Sequence, residues 1–112
     1  MIFIELELNN EQIEKDHIIK PNIVNEIIEK TFKSENCFIF RQIGNVSFWT
    51  RNMNDDKDLE SLWLVQSAFR QERWFKYYVK KWNLIIMDDS NNKVTHQEDI
   101  ISEWIPTRPD KP

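Results

Sequence analysis

Two histidines, one cysteine and nineteen carboxylates are the groups through which this 112-residue chain could do acid–base, nucleophilic or metal chemistry. His17 and His96 stand 79 positions apart, and neither sits in a ligand motif. His96 falls inside Thr95-His96-Gln97-Glu98, a capping-box sequence, so it reads as a surface residue at a helix start. Cys37 opens the apolar run Cys37-Phe38-Ile39-Phe40. A nucleophilic thiol needs a neighbouring cation or a helix N-terminus to lower its pKa; here the better reading is a small buried hydrophobe. A Cys37–His17 or Cys37–His96 dyad, or a histidine–carboxylate metal site, could come only from the fold. No catalytic residue, no metal and no cofactor is therefore expected.

The carboxylates are more suggestive. Asp55, Asp56, Asp58 and Glu60 lie in one short stretch, and Asp88-Asp89 form a second pair. Paired carboxylates can hydrolyse glycosides or, with a metal, phosphodiesters. The spacing D-D-x-D-x-E lacks the central glycine and the distal glutamate of a calcium loop. Two readings remain besides an enzyme of scattered carboxylates: a solvated loop, or a docking surface whose clustered charge attracts a basic partner. The second assigns partner binding to Asp55, Asp56, Asp58, Glu60, Asp88 and Asp89, with Trp63 or Trp49 as a buried aromatic anchor.

A third constellation is Arg70-Gln71-Glu72-Arg73-Trp74-Phe75-Lys76-Tyr77-Tyr78-Val79-Lys80-Lys81-Trp82, where bases interleave with aromatic rings. Single-stranded nucleic-acid grooves use that mixture, cations on phosphates and rings on bases. On a helix, however, Trp74, Phe75, Tyr78, Val79 and Trp82 share one face, which reads as core. A nucleic-acid-binding module built on 70–82 is thus the alternative to protein binding.

Charge and composition bound these readings. The net charge is −4 at a pI near 5.2. Residues 1–30 carry −4, 31–54 carry +2, 55–60 carry −3, 70–82 carry +4 and 83–112 carry −3. One basic segment therefore lies in an acidic chain, a balance that disfavours non-specific nucleic-acid binding and favours cationic partners. A single glycine removes every glycine-rich phosphate loop, and a single cysteine removes a disulfide framework. No apolar run approaches a membrane span, and Met1-Ile2-Phe3-Ile4-Glu5 has no basic leader region. The expected compartment is the cytoplasm. The length fits one domain, 1–112, with about 6,600 Å² of surface exposed when folded.

The elements that must position these groups follow from periodicity. Residues 2–8 alternate Ile2, Ile4, Leu6, Leu8 against Phe3, Glu5, Glu7, which predicts a strand. Pro21-Asn22 precede Ile23, Val24, Ile27, Ile28 and Phe32 at helical spacing, closed by Ser34-Glu35-Asn36. Residues 37–43 and 46–51 are β-rich, and Gly44-Asn45 between them is a type II′ hairpin signal. A polar loop covers 52–57. Asp58 caps a helix bearing Leu59, Leu62, Trp63, Gln66 and Phe69. For 61–82 helix is preferred, with a kink near Arg70 or two separate elements because the stripes 59–69 and 74–82 do not align as one continuous helix, and with paired strands 61–69 and 73–82 as the rival. Leu84–Met87 reads as a short strand and 88–93 as a loop. The capping box at 95–98 starts a helix carrying Ile100, Ile101, Trp104 and Ile105, which Pro106 stops. Residues 106–112 read as a loose tail. The fold class is α+β, a small antiparallel or mixed sheet with helices packed on one face.

In overall type the chain resembles bacterial immunity proteins, small cytoplasmic inhibitors that neutralise toxic nucleases of neighbouring cells. The features that carry the resemblance are an acidic single domain rich in Asn, Ile and Trp, acidic loops, and no catalytic motif. The likeness spans the whole chain and transfers no residue by position. It implies a binding protein, not an enzyme, whose partner is a basic protein such as a nuclease toxin domain.

Overall fold

Alternation along Ile2–Leu8 builds the central strand of the fold, β1, with Ile4, Leu6 and Leu8 turned into the core. The computed structural model describes residues 1–53 and 55–112. Among these, the order is β1, α1 (Asn10–Asp16), α2 (Pro21–Ser34), β2 (Phe38–Ile43), β3 (Val46–Thr50), α3 (Lys57–Arg70), α4 (Arg73–Tyr78), β4 (Val79–Met87), β5 (Val94–Asp99) and α5 (Ile100–Trp104). The strands form one open antiparallel sheet in the order β2–β3–β1–β4–β5. The fold is α+β. No helix among the described residues is long and apolar enough to cross a membrane. The folded surface is 7,004 Å², close to the value expected from mass.

The core lies between the sheet and one layer of helices. It joins Ile4, Leu6, Leu8, Trp49, Trp82 and Leu84 of the sheet to Ile13, Val24, Ile28, Phe32, Leu62, Val65, Phe69, Phe75 and Ile100 of the helices. Phe3 is on the opposite face, edge-on to Phe40 at 5.4 Å and tilted against Phe48 at 6.0 Å. Strand β2 is exposed along its whole length and closes one edge of the sheet.

The hairpin forms where expected. Gly44 takes φ +59°, and positive φ falls on it and not on Asn45, the pattern of a type II′ turn. A Cβ at Gly44 would meet nothing within 4 Å, so a substitution there costs backbone strain alone. Gly44→Val is expected to lower stability by about 1–2 kcal/mol, read from urea melts. An unchanged midpoint would refute the strain argument. Elsewhere the left-handed positions fall to His17, Asn36, Asn52 and Asn92. Asparagine tolerates that region better than other non-glycine residues, which gives a physical reason for the many asparagines of a chain with one glycine.

The structure adds to these expectations and differs from them in several places. Residues 10–16, unassigned by pattern, form α1, capped by Asn9, whose side chain accepts from the Gln12 N–H at 3.1 Å. Residues 95–98 are not a capping box but part of edge strand β5; the cap of α5 is Asp99, whose carboxylate accepts from the Ser102 N–H and hydroxyl. In 61–82 the break falls near Arg70 as expected, with a short second helix over 73–78, but from Val79 the chain is strand and not helix. The helix 57–70 begins one residue before Asp58, and Asn54 of the expected 52–57 loop lies outside the described residues. The segment expected as a loose tail runs back along α4: Arg108 donates to the Lys76 carbonyl at 2.8 Å, Arg73 donates to the Asp110 carbonyl at 3.3 Å, and Lys111 pairs with Asp16 at 3.0 Å.

Candidate functional site: an acid-rimmed groove beside helix α3

Helix α3 has two working faces. Asp58, Ser61, Leu62, Val65, Gln66 and Phe69 are buried against the sheet and neighbouring helices. Asp56, Leu59, Glu60 and Trp63 follow at i, i+3, i+4 and i+7, so they share a second face. That face forms one wall of a groove of about 550 Å³. The floor is Leu84 and Ile86 of β4, and the far rim is His96 and Glu98 of β5. The register pairs Leu84 with Glu98 and Ile86 with His96, so all four point to the helix side of the sheet. Trp63 remains 44% exposed and Leu59 likewise 44%. Trp63 stands edge-on to Trp104 at 5.0 Å, and Arg70 lies over the Trp104 ring at 4.6 Å. The anchor expected from sequence is thus held open to solvent on a rigid backing. The other candidate anchor, Trp49, is buried and stacks on Phe32 at 4.3 Å.

The acidic residues separate into roles. Asp56 and Glu60 are exposed on the groove wall. Asp58 is turned inward, accepting from the Arg51 guanidinium at 3.0 Å and the Met53 N–H at 3.2 Å; it is part of the packing and not a face for a partner. Asp55 accepts from the same guanidinium at 2.6 Å, which holds its carboxyl below the usual carboxylate range. Asp88 closes its loop by accepting from the Ser90 hydroxyl and N–H, which likewise lowers its pKa. Asp89 pairs with the Met1 amino group at 2.9 Å. Asp88 and Asp89 do not line the groove. They lie at the same end of the sheet as its acidic wall, because Met87 donates to the Met1 carbonyl while Thr50, just before Arg51, donates to the Ile2 carbonyl.

Sequence reasoning missed Glu98 and Glu103. Burial and a hydrogen bond shared with Glu98, with Asp99 adding like charge, push the Glu103 carboxyl above its ordinary value; His96 opposes the shift. A raised carboxyl pKa means the folded state disfavours the charged form. That cost is present at neutral pH and vanishes as pH falls through the folded pKa toward the unfolded one. Glu103→Gln is therefore expected to raise the melting temperature near pH 7 and to leave it unchanged at about pH 3.5. Destabilisation at pH 7 would mean that the Glu98–Glu103 contact is attractive. The tandem Glu98-Asp99 with Glu103 four residues on was the signal, hidden by reading 95–98 as a helix cap.

The remaining candidates are scattered. Burial pushes the Cys37 thiol up to about 11, so it is neutral at physiological pH. His17 ends α1 in the left-handed conformation, and His96 lies 3.7 Å from Glu98 across the sheet from any thiol. Among the described residues no three His, Cys, Asp or Glu side chains gather as a metal site. In the basic segment, Phe75, Tyr78 and Trp82 are at most 1% exposed, which leaves only the partly buried Trp74 and Tyr77 beside Arg73, Lys80 and Lys81 at the surface. Burial and the Asp16 carboxylate it donates to raise the Tyr78 hydroxyl to about 12. No protein-family model, curated protein or solved structure matches this chain.

Proposed function

We propose that the protein binds and neutralises a basic partner protein, in the manner of a cytoplasmic toxin-immunity protein, and that the groove beside α3 is the docking site. The observation that carries this reading is the groove itself: the exposed Trp63 and Leu59 in a concave surface, with Asp56 and Glu60 on one rim and Glu98 on the other. An apolar centre ringed by charge is the anatomy of a protein interface. The acids of 55–60 and 88–89 at the same end of the sheet add the long-range field that speeds encounter with a cationic surface. A toxic nuclease must itself be basic to hold phosphate, so an acidic inhibitor exploits the same field. The nucleic-acid reading finds less support, since three of the rings in 70–82 are in the core.

The test is capture of a partner from cells carrying the neighbouring genes, followed by association kinetics of variants. Changing Asp55 and Asp56 to Asn with Glu60→Gln, or Asp88 and Asp89 to Asn, is expected to slow association by about tenfold at low salt. It should also flatten the salt dependence while the fold persists. Asp58 is left in place because it is packed. If nucleic acid is captured instead, and Arg73, Lys76 and Lys80 control its binding, the reading is overturned.

A further inference from the structure

We propose that the segment docked in this groove is an amphipathic helix, apolar along one stripe and rich in lysine or arginine on both flanks, laid alongside α3. This rests on the groove being the docking site and adds the form of what docks there.

The geometry points to a helix for three reasons. The first is the space. The helix layer covers the inner face of the sheet at β1 through α3 and part of β4 through α5, and Leu84 is 3% exposed, but Ile86 and Glu98 beside it are only partly buried and His96 is exposed. Neighbouring strands lie about 4.8 Å apart, so a helix about 10 Å wide with its side chains would rest on this floor and on the α3 wall together.

The second is the wall. Asp56, Leu59, Glu60 and Trp63 form an i, i+3, i+4, i+7 face, the pattern by which one helix packs on another. A helix beside it would set its apolar stripe on Leu59, Trp63 and Ile86.

The third is the charge. Acids stand on both sides of the apolar floor, Asp56 and Glu60 on α3 and Glu98 on β5, with Glu103 in contact with Glu98. A helix with an apolar stripe carries its flanking residues on both sides, so lysines or arginines there meet both rims at once. An extended segment added to the edge of β5 would reach Glu98 but would leave Asp56 and Glu60 unpaired across the groove. It would also send every second side chain to the opposite face of the sheet. A second copy of this chain is disfavoured by its own net charge of −4.

The experiment uses the intact protein and synthetic 18-residue peptides of leucine and lysine. One peptide places leucine at helical period, a second has the same composition at period two, and a third replaces lysine by glutamate in the helical pattern. The helical leucine–lysine peptide is expected to bind, to gain helical circular dichroism, and to shift a fluorescence component that Trp63→Phe removes. Asp56→Lys with Glu60→Lys is expected to weaken it by about tenfold, and Glu98→Lys on the other rim should weaken it independently. Equal or tighter binding of the period-two peptide, or undiminished binding to both rim variants, overturns the proposal. Should the captured partner depend on the acids while the helical peptide fails to displace it, the helix is refuted and the docking site stands. If neither responds to the acids, both fail.

Discussion

Phe69→Ala is expected to lower the unfolding free energy by about 3–5 kcal/mol, the largest loss of any single change considered. Phe69 is 1% exposed and joins three helices. Its ring stacks on Phe75 of α4 at 4.5 Å and meets Phe32 of α2 edge-on at 5.5 Å. Phe32 in turn stacks on Trp49 at 4.3 Å, and Phe75 meets Trp82 at 4.9 Å. The series continues through Trp104 to Trp63 at the groove. Truncating Phe69 opens a cavity in the middle of this series, between rings anchored in β3, α2, α4 and β4, where rigid neighbours on several sides limit collapse. The cost therefore belongs with aromatic-to-alanine changes that leave most of the cavity open. Urea denaturation reads the change. A loss below about 1 kcal/mol would show that the helices repack freely around the gap, and that Trp63 is not held by a continuous core.

What could be read from the sequence was what one face of one element decides. Strand β1, helix α2 and the hairpin at Gly44 follow from period two, period 3.6 and a required positive φ. The failures have local physical causes. Val79 and Trp82 are three apart and both buried, which reads as a helix turn. In the structure Leu8 pairs with Val79 and Glu7 with Lys81, so Lys80 is bulged out and the following strand shifts by one. A bulge thus turns a strand's period of two into an apparent period of three. Strand β5 is an edge with polar residues on both faces, so it has no alternation to detect. In α1 only Ile13 is buried, and one apolar residue makes no stripe. At the site, the acidic stretch 55–60 and Trp63 were visible, but which acid faces out was not. Asp58 looked like its neighbours until Arg51 was seen to hold it inward. Glu98, the far rim, comes from an element that sequence placed in the wrong class.

Gln66→Met is expected to stabilise the protein by about 1–2 kcal/mol. Gln66 is 0% exposed, and among the described residues neither its amide nitrogen nor its amide oxygen has a hydrogen-bond partner. The apolar stripe of α3 passes through it, between Leu62 and Phe69, so a position that pattern assigns to a hydrophobe holds a carboxamide. Stripping water from an amide without replacing its hydrogen bonds costs on the order of 1–3 kcal/mol in proteins. Methionine keeps the unbranched shape and helix propensity while removing the polar atoms. The gain should appear as a higher urea midpoint with an unchanged slope, since the surface exposed on unfolding is nearly the same. A stability loss would show instead that the carboxamide is solvated inside the core, because a buried water held by both amide atoms makes their removal costly. The two signs distinguish a helix face that is imperfectly packed from one that is packed around water. Leu62 and Val65, buried beside Gln66 on the same helix, should lose stability on truncation under either outcome.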